Sequence, residues 1–592
     1  MDYFIYPIDN KSLLRKKIRI KRDLLSKSDR FIDKRIAVLG GSTTNEIVDQ
    51  LELFLLHYGI RPTFYQSEYA QYWQDAMFGN EELDNFKPDV IYIHTNWRNI
   101  TEFPTTSSSR EETDVLLEKT YNHFAVIWDK LAEKFNCPII QDNFDRPAWR
   151  LLGNSDIIDH RGRTNFISRL NQILYRYAEV HKAFFVNDVD YLAACYGLEA
   201  WSNPLYWHMY KYSLCLDAIP SLAKSVADII KSIYGKNRKV LVCDLDNTLW
   251  GGVVGDDGVE GIRLGPEVPV GQIYSEFQQY VKELKSIGVL LAVNSKNDEE
   301  NAIAGLNHPD GPLKPDDFVS IKANWENKDR NMQAIANDLN LGIDSFVFID
   351  DNPTEREIII QSDFGVAVPV MDKVENYIRV LDRNGFFEVT TLSSDDLSRV
   401  EMYQANAKRV QLQESVGNYD DFLKSLHMKA TIRAFEPIYI QRIAQLTNKS
   451  NQFNLTTLRC SESDISSMRE SENYICLYGK LEDRFGDNGV VSVIAGQIED
   501  NQLHIRLWLM SCRVLKRGLE SAMLDALVSD ARVRGLGRII GYYYPTPKNG
   551  MVKDFYSRMG FEKISEDADG NTTWRLGLDD YRSQETAIEI RR

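Results

Sequence analysis

The run VLVCDLDNTLW at 240–250 constrains this chain more than any other feature. Four apolar residues, Val240 to Cys243, stop at Asp244, and Asp246 and Thr248 follow at intervals of two. A short, continuous apolar run of this kind reads as a strand buried on both faces, as in a parallel sheet covered by helices. Carboxylates crowded at the end of such a strand repel one another and lose hydration unless something cationic holds them. A hard divalent cation such as Mg²⁺ suits oxygen ligands. It would also screen a phosphate from an attacking carboxylate. In an open α/β sheet, ligands bind at the carboxyl ends of the strands, where these side chains fall.

Three further groups follow in order. Ser295 ends the apolar run LLAVN, Lys328 heads the helical pattern KDRNMQAI, and Asp350 and Asp351 end the run Phe346 to Ile349. Between the first two runs, Ile273, Phe277, Tyr280, Val281 and Leu284 share one face of a helix. Val289–Val293 and Val366–Val368 read as further strands, giving a doubly wound parallel sheet. Singly, each polar residue has a plain structural reading: acidic residues cap helices, a serine opens a turn, a lysine sits in solvent. Four elements in order, three of them at strand ends, point together to phosphoryl transfer.

This constellation resembles the haloacid dehalogenase (HAD) superfamily, whose pattern is D-x-D-x-T/V, a strand-end Ser/Thr, a Lys and an acidic pair. The resemblance implies that Asp244 attacks phosphorus and that Asp246 serves as general acid/base. It also implies that Ser295, Lys296, Asn297 and Lys328 hold phosphate oxygens. Asp244, Asp246 (through its backbone carbonyl), Asp350 and Asp351 would hold Mg²⁺. Longer strings narrow the likeness: DLDNTLWGGVVGDDGVEGIRLGP at 244–266, SKND at 295–298, DSFVFIDDNPTERE at 344–357, SNQFNLTT at 450–457, DRFGDNGVV at 483–491 and SCRVLKRGLE at 511–520. Over roughly 237–565 the chain resembles FkbH-like proteins. That resemblance implies dephosphorylation of 1,3-bisphosphoglycerate, or a similar phosphorylated hydroxy acid, and loading of a glyceryl-type group onto the phosphopantetheine thiol of an acyl carrier protein. Many relatives carry cysteine where this chain has Asn294, so Cys512 becomes the alternative catalytic thiol; its other reading is a small buried hydrophobe. The competing functions are a phosphatase acting on another small phosphometabolite without acyl transfer, and a non-catalytic carrier-binding scaffold.

Beyond residue 385 the pattern changes to α+β. Helices near 394–413 and 436–447 precede a hairpin, with Val490–Ile494 turning through Glu499-Asp500-Asn501 into a strand where Leu503, Ile505, Leu507 and Leu509 alternate with polar or amphipathic residues. A helix with Leu519, Met523, Ala526 and Leu527, a strand Ile539–Tyr543 and a short helix near 554–558 follow. This part resembles the N-acetyltransferase (GNAT) fold. That fold's R-x-x-G-x-G/A pattern maps onto Arg513, Lys516 and Gly518, so a side chain replaces the first glycine. Asn451, Gln452, Asn454, Arg513, Gly518 and Lys548 are the candidates for binding acyl or pantetheine groups; turn and cap chemistry is their other reading.

The N-terminal part alternates short apolar runs, at Ile36–Leu39, Val90–Ile93 and Phe184–Val186, with helical patterns ending near Leu222–Ile233. Gly40-Gly41-Ser42 after the first run weakly resembles the first block of SGNH hydrolases. On that likeness Ser42, Asn96 and His208 form a possible second site, the alternative being a scaffold or carrier-docking surface. Arg15, Lys16, Lys17, Arg19, Lys21 and Arg22 could give such a surface a basic patch, or simply a solvated helix face.

With 592 residues the chain needs several cores. The reading is a multidomain α/β protein: an N-terminal flavodoxin- or SGNH-like unit at 1–235, a HAD-like unit at 236–385, and linker helices with a GNAT-like domain at 386–592. A net charge of −16 offers no overall attraction to nucleic-acid phosphates. Seven cysteines, an odd number without a C-x-x-C pair, argue against a disulfide framework and for a reducing, cytoplasmic setting. No signal peptide or membrane-spanning run is apparent, so no membrane insertion is expected.

Overall fold

Apolar runs too short for helices become buried parallel strands, and the amphipathic stretches between them become the covering helices. The computed structural model describes residues 3–27, 31–416, 418–450, 452–546 and 548–592. It divides into two compact units, Met1–Ile233 and Tyr234–Arg592.

The first unit holds five parallel strands, β1 (Ile32–Gly40), β2 (Ile60–Gln66), β3 (Val90–His94), β4 (Ile139–Asp142) and β5 (Phe184–Asn187). Their order is β2-β1-β3-β4-β5. The sheet order reverses direction between β1 and β3, the point where doubly wound sheets open a crevice. β2 and β4 were not legible as strands: β2 carries Pro62 at the sheet edge, where a missing N–H is tolerated, and β4 has only two apolar residues. Helix Asn10–Lys27 neutralises much of its own basic run. Lys17 pairs with Glu46 and Asp49, Lys21 with Glu52, and Arg19 and Arg22 with Asp23. The basic stretch is therefore largely an ion-paired helix face.

The second unit contains two sheets. In the first, β6 (Val240–Cys243), β7 (Leu290–Ser295), β8 (Ser320–Ala323) and β9 (Phe346–Ile349) are parallel in the order β8-β7-β6-β9. β6, β7 and β9 are buried throughout. The half-exposed edge strand β8 gave no apolar signal in the sequence. Helix Pro269–Ser286 buries Phe277, Val281 and Leu284, with Ile273 and Tyr280 half-buried. The expected strand Val366–Val368 is reduced to one bridge, Val347 to Ala367. Gly365, at φ 73, and Pro369 confine it to three residues, and proline cannot extend the ladder.

The second sheet comprises β10 (Lys429–Ala434), β11 (Tyr474–Asp483), β12 (Gly486–Glu499), β13 (Gln502–Met510), β14 (Arg538–Tyr543), β15 (Glu562–Glu566), β16 (Thr572–Gly577) and β17 (Glu589–Arg591), ordered β15-β16-β14-β13-β12-β11-β10-β17. Most pairs are antiparallel, but β13 and β14 run parallel and pair over only three residues, Gln502–His504 with Arg538–Ile540. Beyond that they splay, and the segment 453–455 fills the gap: Leu455 N–H donates to Trp508 O and Tyr544 N–H to Leu455 O. Helix Leu519–Val533 packs on this sheet through Met523, Leu524 and Leu527. The Asp483 carboxylate, its side chain fully buried, takes two hydrogen bonds from Arg409 of helix Arg399–Ser415 and one from Arg517. Among the described residues, no helix is long and apolar enough to cross a membrane.

Candidate active site

Four carboxyl-edge positions of the HAD-like sheet converge. Asp244 follows the central strand β6, Asp350 and Asp351 follow β9, Ser295 ends β7, and Lys328 opens helix Lys328–Leu339 after β8. Lys328 Nζ lies 2.7 Å from Asp244 Oδ1 and also bonds Asp350 Oδ2. All three side chains are buried, and one carboxylate oxygen each from Asp244, Asp350 and Asp351 lie within 4.8 Å of one another. Burial alone would lower the Lys328 pKa, but Asp244 and Asp350 outweigh it and hold the ammonium charged. Asp350 is pushed up to about 7, chiefly by burial and then by the Asp244 charge, against the pull of Lys328. Asp351 is raised by the same two causes. One lysine among three carboxylates leaves the cluster anionic, and its donors are all hard oxygens. That set fits a hard divalent cation.

Asp246 is held away from this cluster. Its Oδ1 accepts from Trp250 Nε1 at 2.9 Å and Val254 N at 3.0 Å; its Oδ2 accepts from Asn297 Nδ2 at 2.9 Å. Burial raises its pKa, the direction that favours a proton donor, against the bonds from Val254 and Trp250. Its carboxylate is outside the metal-ligating group, so any part in metal binding would fall to its backbone carbonyl.

Several residues differ from their expected placement. Asn297 spends its amide on Asp246, and Lys296 is tied to Glu355 at 2.8 Å, so neither is free as a phosphate ligand here. Ser295 is buried at the end of β7. Asn294 donates to Lys328 O at 2.9 Å, fixing the first turn of the lysine helix. Sequence reasoning overlooked the supports: Trp250 and Val254 on Asp246, Thr248 Oγ1 receiving Asp351 N–H, and Arg356, which donates to the Asp350 and Asp351 carbonyls at 2.7 Å each. Thr248 and Arg356 sat in the quoted strings, but only their partners give them roles.

Cys512 is separated from this centre. It packs against the core of the HAD-like sheet, and its carbonyl accepts from Asn340, one residue past the end of helix Lys328–Leu339. Lys328 opens that helix, so its length puts roughly 18 Å between the two ends. Cys512 is half-buried there, packed on that core and away from the carboxylate cluster.

Four of the six acyl-binding candidates, Arg513, Gly518, Lys548 and Asn454, make internal contacts, although Asn454 Nδ2 is buried without a partner among the described residues. Lys516, at φ 63, and Gly518, at φ 90, keep a left-handed turn, one that glycine adopts without strain. Both turn amides donate to the Glu520 carboxylate, at 2.8 and 3.2 Å. An internal anion therefore fills the place that a pyrophosphate would take. Arg513 bonds Ser511 and Met402, and Lys548 pairs with Asp344. Asn454 lies in the segment filling the β13–β14 gap, with its Oδ1 capping Thr457 N–H and its carbonyl bonded by Asn549. Gln452 Oε1 is buried without a partner among the described residues, and Asn451 lies outside them.

In the first unit, Ser42 is buried at the carboxyl edge, while His208 is exposed on helix Pro204–Tyr210. The histidine close to Ser42 is His94: both it and Ser42 hydrogen-bond Ser213. Asn96 is buried and caps the turn Trp97–Asn99.

Residues 35–231 match the FkbH N-terminal domain family. The N-terminal part of the protein BF1531 from Bacteroides fragilis, which contains a phosphatase domain and was crystallised with Mg, is similar at 29% identity and a TM-score of 0.59; the match covers 64% of this chain and 99% of that one. The ribosomal-protein-S18-alanine N-acetyltransferase of Escherichia coli matches at 15% identity and a TM-score of 0.20, over 25% of this chain and 94% of that one. The PaiA N-acetyltransferase of Thermoplasma acidophilum matches at 15% and 0.19, over 25% and 99%. None of the curated proteins compared with the chain matches it. The fold, the carboxyl-edge cluster and the likeness to the Bacteroides protein define a HAD-type phosphatase. Over residues 35–231 the chain matches the FkbH N-terminal domain, in keeping with the FkbH-like resemblance of its longer strings.

Proposed function

We propose that this protein catalyses Mg²⁺-dependent phosphoryl transfer through Asp244 and couples it to acyl transfer. The single observation that carries the first part is the triad of carboxylates around Lys328 at the carboxyl edge of β6 and β9. Asp244, Asp350 and Asp351 would hold Mg²⁺, as the similar Bacteroides structure with Mg supports. When bound, the cation neutralises the carboxylates and the incoming phosphate. Asp244 attacks phosphorus and forms an aspartyl-phosphate. Asp246 protonates the leaving oxygen and then takes a proton from the hydrolytic water. Lys328 orients Asp244 and balances charge on the transferring group.

The substrate follows from the resemblance to FkbH-like proteins: an acyl phosphate of a three-carbon hydroxy acid, 1,3-bisphosphoglycerate or a close analogue. The acyl acceptor is the phosphopantetheine thiol of an acyl carrier protein. This chain supplies no thiol at the centre, since Cys243 is fully buried, position 294 is asparagine and Cys512 lies at the far end of a helix. The carrier thiol would therefore take the acyl group directly: its sulfur bonds to the C1 carbonyl carbon, the C1–O bond breaks and the C1 phosphate leaves, while Asp244 acts on the separate phosphate ester at C3.

Intact-mass spectrometry of a pantetheinylated carrier with the enzyme, Mg²⁺ and freshly generated 1,3-bisphosphoglycerate tests the coupling. A glyceryl increment that needs the enzyme and disappears in Asp244→Asn supports it. Phosphate release without a carrier adduct reduces the function to that of a phosphatase.

A further inference from the structure

The first unit contains an ordered chain of four side chains that the phosphoryl-transfer reading does not use. Ser42 Oγ donates to Ser213 Oγ at 3.1 Å. Ser213 Oγ lies 2.8 Å from His94 Nε2, and His94 Nδ1 lies 2.6 Å from Asp142 Oδ2. Asp142 also accepts from Tyr92 at 2.9 Å and Asn187 at 2.7 Å. When the Asp142 carboxylate accepts a hydrogen bond from Nδ1–H, Nε2 is left as an acceptor for a serine hydroxyl; burial raises the Asp142 pKa, and its bonds from His94, Asn187 and Tyr92 work against that. Ser42, His94 and Asp142 are 1% exposed or less, whereas Ser213 is 7% exposed.

Placement argues for more than a buried polar network. Ser42 follows β1, His94 ends β3, Asp142 ends β4 and its partner Asn187 ends β5, all at the carboxyl edge, and Ser213 joins them from the segment after helix Pro204–Tyr210 through its bonds to Ser42 and His94. Ser42 and His94 flank the point where strand order reverses, the usual ligand crevice of such a sheet. Asn96, two residues beyond His94, keeps its side-chain amide nitrogen buried without a hydrogen-bond partner among the described residues. That donor is available to a developing oxyanion. Beside it the Arg98 guanidinium lies over Trp97 at 4.4 Å and Trp207 at 4.9 Å, in no ion pair among the described residues. Lys211–Ser213 follows directly on helix Pro204–Tyr210, which carries Trp207, and Thr43 N–H, next to Ser42 in the chain, donates to Lys211 O at 3.0 Å.

We propose that Ser213, His94 and Asp142 form a second catalytic centre, acting on esters or thioesters of acyl groups that carry a negative charge. Ser213 Oγ bonds to the carbonyl carbon while its proton passes to His94 Nε2. The ester C–O or thioester C–S bond then breaks, and the leaving group takes that proton. Water, deprotonated by His94, cleaves the acyl-serine and releases a carboxylic acid. Ser42 positions Ser213 by donating to its oxygen, and Arg98 meets the anionic part of the substrate.

The test uses the full chain with a small alkyl fluorophosphonate and with p-nitrophenyl acetate. The expected result is a single phosphonyl adduct mapping to Ser213, together with ester hydrolysis. Both should vanish in Ser213→Ala and slow by roughly 100-fold or more in His94→Gln, with unchanged thermal melting of Ser213→Ala showing that the fold is intact. An adduct on Ser42, or rates that Ser213→Ala leaves unchanged, would overturn the assignment. So would the absence of both adduct and hydrolysis in the folded wild-type protein. If His94→Gln does not fold, Asp142→Asn replaces it: a loss of rate with the fold retained supports the relay, and an unchanged rate overturns it.

Discussion

Asn297 separates two accounts of the phosphoryl-transfer centre. The HAD resemblance makes it a phosphate ligand; the structure makes it a positioning residue for Asp246. Replacing it with alanine removes one of three hydrogen bonds to that carboxylate and leaves Trp250 and Val254 on the other oxygen. A hydrogen bond to a charged group contributes about 1.5–3 kcal/mol. With two bonds still holding Oδ1, the loss should lie near 1.5 kcal/mol, roughly tenfold in rate. The loss should fall on kcat, with KM for p-nitrophenyl phosphate in saturating Mg²⁺ little changed. Because the effect passes through Asp246, Asn297→Ala should add almost nothing in an Asp246→Asn background. A raised KM with unchanged kcat, or a full tenfold further loss in that background, would show that Asn297 meets the phosphate itself.

Three further outcomes follow. Asp228, buried with Lys224 and Lys231 and bonded by Tyr58, should cost the first unit about 3–5 kcal/mol as Asp228→Asn. Burial would raise its pKa, but the two lysines outweigh it and depress it. The stability gap in chemical denaturation should therefore hold above about pH 5 and narrow as pH falls through the depressed pKa, below about pH 4; a gap that widens with acid would refute this. Since Glu520 occupies the turn amides, calorimetry should find no saturable coenzyme A binding to the wild type and detectable binding to Glu520→Ala; wild-type binding that this change weakens would contradict it. Cys512→Ser should leave carrier loading unchanged, and abolished loading would restore a cysteine relay.

Much of the phosphoryl-transfer centre was legible because its residues terminate apolar strands. Asp244, Ser295 and Asp350 each stand where a buried run stops, and strand ends in a doubly wound sheet lie together. Lys328 was legible as the opening of a helix. What sequence cannot show is which polar neighbour a side chain chooses. Asn297 and Lys296 looked like phosphate ligands, yet one holds Asp246 and the other pairs with Glu355. In the first unit a Gly-Gly-Ser turn marks Ser42 and the SGNH likeness marks Asn96 and His208, whereas the histidine bonded to Ser213 is His94 and His208 is exposed. His94 looked like the last residue of a strand, and its chemistry depends on Asp142 and Ser213, 48 and 119 residues away. Edge strands such as β8, half-exposed and polar, leave no periodic apolar signal.

The most direct test of the central claim is to trap the phosphorylated enzyme. Rapid quenching of turnover with borohydride, followed by peptide mass spectrometry, reports which carboxylate carries phosphate. The account predicts reductive labelling at Asp244, dependent on Mg²⁺ and absent in Asp244→Asn, which should also lose phosphatase activity. Labelling at another carboxylate, or turnover that persists in Asp244→Asn, would contradict it.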